Sequence, residues 1–118
     1  MTKLAPKTLA KRIVKIAWSK KAEDIVLLDL RKISSMTDYF LVCSAGSEVQ
    51  ARVIAEAILD SLGDSRIKCS VEGLEGSRWV LIDCYAVVVH IFLPEVREFY
   101  GLERLWGDAP REEFSDDE

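Results

Sequence analysis

Apolar residues recur at two different spacings along the chain, and the change between them marks the secondary structure. Three stretches show helical spacing and begin near Pro6, Ser47 and Pro94, and a proline suits the first turn of a helix. Compact apolar runs predict strands at residues 24–30, 38–44, 67–72, 78–83 and 86–93. The predicted order of elements is therefore αββαβββα.

The connections between these elements predict how the strands pair. Residues 31–37 form a short polar connection, which favours antiparallel pairing of the first two strands. The last two strands are almost adjacent in sequence and predict a hairpin. The helix between the second and third strands makes a right-handed crossover if those strands are parallel neighbours. The sequence therefore predicts an α/β (α+β) fold with a mixed five-stranded sheet flanked by helices.

Length and charge describe a single domain that has no generic affinity for nucleic acid. The chain has 118 residues and a net charge of −4, although residues 1–21 carry seven Lys or Arg and no acid. We predict one domain over residues 1–107 and an acidic, disordered tail over residues 108–118. No apolar run is long enough to cross a bilayer, and the N-terminus lacks the apolar core of a signal peptide, so we expect a cytoplasmic protein.

The candidate catalytic and metal-ligating residues are sparse. Cys43, Cys69 and Cys84 form no C-x-x-C motif and are interpreted as buried thiols in a reducing compartment. His90 is the single histidine, which is too few for a metal site with scattered cysteines. We interpret it as a half-buried residue hydrogen-bonded to a neighbour. No metal, cofactor or catalytic residue is assigned.

Gly46-Ser47 supports the sharpest enzymatic hypothesis. A Gly-Ser at a helix N-terminus can hold a phosphate, and nucleotidyltransferases add an Asp-x-Asp pair on the next strand to bind metal ions. The predicted strand at residues 67–72 has no such pair. Ser47 followed by Gln50 is instead typical of a helix N-cap, so nucleotide binding or a residual nucleotidyltransferase activity remains only the alternative.

Taken together, these segments resemble the ribosomal silencing factor (Iojap-like) family over about residues 8 to 109. The motifs that carry the resemblance are Asp24-Ile25, Ser34-Ser35 with Thr37-Asp38-Tyr39-Phe40, Gly46-Ser47 with Gln50, Glu72-Gly73 with Gly76, Trp79 with Asp83, Val87-Val88-Val89-His90-Ile91-Phe92, and Arg97 with Tyr100, Leu102-Glu103 and Leu105-Trp106. The family usually has Gly-Asp in the last hairpin connector. This chain has Tyr85-Ala86, which suits a tight turn poorly and predicts a longer or differently shaped hairpin.

The resemblance implies a nucleotidyltransferase-like fold without the catalytic carboxylates and a function that is not enzymatic. Family members bind the large ribosomal subunit at its protein fourteen, block docking of the small subunit, and often form homodimers when free. We expect no membrane association and no sequence-specific nucleic acid binding. The residues that we predict to bind the partner lie in the hairpin and the last helix. They are Trp79, Leu81, His90, Phe92, Arg97, Tyr100, Glu103 and Trp106.

Overall fold

The strands of the computed structural model, which describes residues 5–114, form one mixed sheet. The helices are α1 (Pro6–Ser19), α2 (Glu48–Asp64), α3 (Pro94–Tyr100) and α4 (Leu102–Leu105). The strands are β1 (Glu23–Asp29), β2 (Tyr39–Ser44), β3 (Ser70–Glu72), β4 (Trp79–Asp83), β5 (Val87–Phe92) and β6 (Arg111–Phe114). They lie in the order β3-β4-β5-β2-β1-β6, which confirms the mixed α+β class.

The pairing joins two hairpins through a parallel contact. β1 pairs antiparallel with β2 and β4 pairs antiparallel with β5, as the connections predicted. β5 then lies parallel to β2, in register from Tyr39 opposite Val87 to Ser44 opposite Phe92. β3 is not a neighbour of β2, because β5 and β4 lie between them. The crossover through α2 therefore leads to the edge of the sheet.

The sheet has one strand more than the sequence predicted. Arg111–Phe114 pairs antiparallel with β1, and Pro110 accepts a hydrogen bond from the backbone N–H of Asp29 at 2.8 Å. The predicted domain end at residue 107 and the predicted tail are therefore wrong for residues 108–114. An edge strand is held by backbone hydrogen bonds, which an acidic side-chain pattern does not reveal. Residues 115–118, also assigned to the tail, lie outside the described residues.

The hairpin between β4 and β5 keeps a tight turn despite its unsuitable residues. Tyr85 adopts the left-handed conformation with φ of 72°. Asp83 Oδ1 accepts a hydrogen bond from the Tyr85 backbone N–H at 2.9 Å, and the Cys84 N–H donates to the Val87 carbonyl at 2.9 Å. Of the two predicted alternatives, a longer hairpin is wrong, because these local bonds stabilise a tight turn in a conformation that tyrosine rarely adopts.

Helix ends follow the local signals in part. Ser47 Oγ accepts a hydrogen bond from the Gln50 backbone N–H at 3.1 Å, which confirms the N-cap of α2. The Gln50 side chain donates to the Lys20 carbonyl and so ties α2 to the end of α1. Gly101, with φ of 57°, ends α3 and separates it from α4, whereas the spacing predicted one continuous helix to Trp106.

The two faces of the sheet are covered unequally. The long helices α1 and α2 pack on one face and bury the larger core, which includes Ile13 and Ile54 with Leu41 and Ile91 of the sheet. The short helices α3 and α4 and the segment after them cover part of the opposite face. The side chains predicted to bind the partner lie on or over this second, thinly covered face.

His90 lies in the core of the second face and is buried more deeply than predicted. Its side chain is 3% exposed. Nδ1 accepts a hydrogen bond from Trp79 Nε1–H at 3.1 Å, so the neutral ring carries its proton on Nε2. The ring lies edge-on to Phe40 and parallel to Phe92, at 4.6 and 6.0 Å between centroids. Burial lowers the pKa of His90 to about 4.

Gly73, which follows β3, brings the backbone close to β4. It has φ of +82°, and a Cβ added there would lie 2.1 Å from the Trp79 carbonyl oxygen. Both the conformation and the contact exclude a side chain.

We expect Gly73→Ala to lower the free energy of unfolding by about 2 kcal/mol, because the new methyl forces β3 away from β4. Gly76→Ala is the matched control, since its Cβ would meet nothing within 4 Å. It should change stability by less than about 0.5 kcal/mol. Urea denaturation measures the free energy of unfolding of the two variants. Equal values would show that the backbone at Gly73 tolerates a side chain.

The buried histidine predicts how stability depends on pH. The pKa of His90 is lowered to about 4 from its usual 6.5, so its contribution is complete above pH 6.5 and is lost as the pH falls toward 4. We expect the free energy of unfolding to fall by about 2 kcal/mol between pH 7 and pH 5. The Asp29 and Glu103 pKa values are lowered, so these carboxylates act below that window.

His90→Gln keeps an acceptor for Trp79 and removes the titration. Because His90 is the single histidine of the chain, the pH dependence between 7 and 5 should flatten in this variant. Denaturation at several pH values measures it. If the free energy of unfolding of the variant still falls between pH 7 and pH 5 as in the wild type, groups other than His90 cause the pH dependence.

Candidate partner-binding surface

An ion pair holds the two short helices together across the break at Gly101. Arg97 Nε donates to Glu103 Oε1 at 2.8 Å and Arg97 Nη2 donates to Glu103 Oε2 at 3.0 Å, a two-pronged contact. Arg97 Nη1 also donates to Ser44 Oγ of β2 at 2.8 Å. The partly buried pair therefore anchors α3 and α4 to the sheet.

The same carboxylate reaches the last strand. Arg111 of β6 lies 3.3 Å from Glu103 Oε2 and 3.2 Å from Glu113 Oε2. The hydrogen bond from Arg97 lowers the pKa of Glu103, partly opposed by burial. Arg97 and Glu103, predicted to orient a partner, are thus engaged with each other inside the molecule. Within the protein, this pair holds the two short helices that carry other residues of the predicted set.

Trp79 is the aromatic centre of the surface. Its ring stacks on Phe92, with 4.9 Å between centroids, and packs against Tyr100 of α3 at 4.6 Å. β4 brings this contact about, because its register places Trp79 opposite Phe92 of β5. The hydrogen bond from the indole to His90 fixes the remaining edge of the ring. Four of the predicted residues therefore form one aromatic cluster.

Burial divides the predicted residues into supporting and accessible ones. Phe92 is fully buried and His90 nearly so, so neither offers contact area to a partner. Trp79, Leu81 and Trp106 are half-buried, and Trp106 packs edge-on against Phe40 at 6.0 Å between centroids. Tyr100 is 52% exposed and is the most accessible of the predicted set.

The residues that the sequence missed are the most exposed apolar side chains of the short helices. Phe99 is 79% exposed and Leu105 is 71% exposed. Phe99 meets Tyr100 edge-on, with 5.1 Å between ring centroids. Three bulky residues, Val96, Phe99 and Tyr100, fall within five positions of a helix that has one sheet-facing side. That crowding was the available signal, because a single side of α3 cannot bury all three.

A shallow groove with a volume of about 380 Å³ lies beside α3. We call it the aromatic groove. It is lined by Arg78, Trp79, Glu95, Val96, Phe99 and Tyr100. Four of its lining residues are apolar or aromatic, and the other two, Arg78 and Glu95, carry charges of opposite sign. The groove can bury an apolar side chain of a partner, and the flanking charges can orient it.

The structure offers no support for the nucleotidyltransferase alternative at Gly46-Ser47. Ser47 is occupied as the cap of α2. Within residues 5–114, no three His, Cys, Asp or Glu side chains lie close enough together to hold a metal ion. Over the same residues, no helix combines the length and the apolar character needed to cross a membrane.

Comparison with known proteins agrees with the fold and with the resemblance noted in the sequence. The model of the family described as "Ribosomal silencing factor during starvation" matches residues 3–118. Ribosomal silencing factor RsfS of Bacillus subtilis is 46% identical over 105 residues, which cover 85% of this chain and 89% of that protein.

Two crystal structures share the architecture. A protein of Chromobacterium violaceum superposes with a TM-score of 0.86 at 31% identity and covers 88% of both chains. A protein of Bacillus halodurans superposes with a TM-score of 0.81 at 38% identity, covering 92% of this chain and 99% of that one. With a matching family model and a relative of this similarity over most of its length, the chain belongs to the ribosomal silencing factor family.

Proposed function

We propose that this protein represses translation by docking on the large ribosomal subunit, at its protein fourteen, and excluding the small subunit from the same place. Membership of the ribosomal silencing factor family supports the role in silencing. The observation that carries the docking proposal is the exposed Phe99–Tyr100 pair on the rim of the aromatic groove. Large aromatic side chains in water are unfavourable unless a partner covers them, and such residues often dominate binding energy.

The groove is rigid enough to act as a docking surface. Trp79 is held by the stack on Phe92 and the hydrogen bond to His90, while α3 and α4 are held by the Arg97–Glu103 pair. A surface whose side chains are already ordered loses little conformational entropy on binding. The chain's net charge of −4 favours a basic ribosomal protein over bare RNA as the partner.

Repression by steric exclusion requires only that the bound protein occupies space, and no covalent bond is made or broken. The described part of the molecule measures 38 × 33 × 30 Å. A bound copy of this size would exclude another macromolecule from the surface that it covers. A bound copy at the face where subunits meet would prevent their joining. The family resemblance also implies a homodimer of the free protein, and a dimer that covered the same exposed aromatic pair would compete with ribosome binding.

Purified subunits test the mechanism directly. With the protein in saturating amounts, sucrose-gradient sedimentation should show fewer joined ribosomes and should place the protein with the large subunit. Binding to isolated large-subunit protein fourteen tests whether that protein is the docking site. Subunits that join at their normal rate in the presence of bound protein would refute steric exclusion.

A matched pair of surface variants tests the groove. Phe99→Ala removes a side chain that is 79% exposed, so we expect a folded protein whose binding to large subunits is weaker by about 2 kcal/mol, roughly 30-fold. Val49→Ala removes a side chain that is 69% exposed on α2, across the sheet, and should bind unchanged. Co-sedimentation titrations measure both, and equal affinities would exclude the groove as the contact. Trp79→Ala is less informative, since it also deprives buried His90 of its hydrogen-bond donor.

A further inference from the structure

Two of the cysteines face each other across the edge of the sheet. The antiparallel register of β3 and β4 pairs Ser70 with Asp83, and one step further it places Cys69 opposite Cys84. The two thiols lie close enough to influence each other, because Cys84 lowers the pKa of Cys69 and Cys69 raises the pKa of Cys84. The side chains come from strands that are distant in sequence, so the fold alone creates this dithiol.

The backbone at this position suits a covalent link. Among the backbone hydrogen bonds of residues 5–114, none joins Cys69 to Cys84. The two residues therefore form a non-hydrogen-bonded antiparallel pair, the type in which opposed side chains lie closer together. Opposed Cβ atoms in a sheet lie about 4.5–5.5 Å apart, and a disulfide needs about 3.5–4.5 Å. A shift of about 1 Å closes that difference.

β3 can make this shift because little holds it. It is an edge strand of three residues, all of them exposed, and it pairs with β4 on one side only. Cys69 immediately precedes it. Cys84 belongs to the well-packed end of the β4–β5 hairpin, so the adjustment falls on the strand that is free to move.

The two thiols differ in access, which sets the order of reaction. Cys69 is partly exposed, whereas Cys84 is 5% exposed and packs into the core between the sheet and α2. Burial raises the pKa of both thiols, while the neighbouring Cys84 thiol opposes that rise at Cys69. Cys69 is therefore the thiol that a reagent meets first and the one that ionises more readily.

We propose that Cys69 and Cys84 form a reversible intramolecular disulfide by exchange with a low-molecular-weight disulfide, and that this bond staples the edge strand β3 to the hairpin. The Cys69 thiolate attacks one sulfur of the reagent and releases its first half as a thiol. Cys84 then attacks the Cys69 sulfur of the mixed disulfide, loses its proton and releases the second half. The two cysteines are oxidised by two electrons, and the reagent is reduced to two thiols.

Cys43 provides the internal control. It is fully buried in β2, opposite Ile91 of β5, and burial raises the pKa of its thiol to about 12. The structure therefore distinguishes one reactive pair from one inert thiol in the same chain.

Oxidised glutathione added to the native protein, followed by intact-mass and peptide mass spectrometry, tests the proposal. The wild type and Cys43→Ser should lose two hydrogen atoms in mass and contain a Cys69–Cys84 peptide that a reductant separates. Cys84→Ser should stop at one glutathione on Cys69, and Cys69→Ser should remain unmodified. Hydrogen exchange of residues 70–72 should become slower in the oxidised wild type.

Other patterns overturn the proposal. A persistent glutathione adduct on wild-type Cys69 would show that Cys84 does not reach it. A link that contains Cys43 or joins two chains would show that the native pairing does not direct oxidation. Native protein that stays reduced, while urea-unfolded protein oxidises, would show that the fold hinders the bond.

Discussion

The parallel pairing of β2 with β5 is the contact on which the rest of the architecture depends. β2 belongs to the hairpin with β1, and β5 belongs to the hairpin with β4. A lone two-stranded hairpin is at best marginally stable in water, so the two become one sheet only through this contact. Its register also places Val42 beside His90 and Ser44 beside Phe92. The side chains of both hairpins thereby form one continuous surface on each face.

The unequal covering of those faces bears on the exposure of Phe99 and Leu105. α1 and α2 have 14 and 17 residues, enough to bury one face by themselves. α3 and α4 have 7 and 4 residues, too few to be stable alone. They depend on the Arg97–Glu103 pair, which holds them against β2. Helices this short cover only part of a sheet face, so Phe99 and Leu105 remain in water.

The side chains of this second face that could perform chemistry are buried or paired within the protein. His90 is neutral, buried and bonded to Trp79, and Glu103 is shared between two arginines. The large aromatic side chains that this region exposes are Phe99 and Tyr100 of α3. The Cys69–Cys84 pair packs against the other core, on the opposite side of the sheet. Oxidation of the thiols and docking at the aromatic groove therefore concern separate surfaces.

The sequence by itself determined the elements whose signals are local: both hairpins, the Ser47 cap, five of the six strands and the family. It also led to Trp79 and Tyr100 as neighbours on one surface, although which side chains are accessible did not follow. Tertiary structure decided the rest. β6 exists because its backbone pairs with the free edge of β1, and the burial of His90 and Phe92 follows from a register between distant strands. Contacts between residues far apart in the chain leave no periodic pattern, so only the folded molecule reveals them.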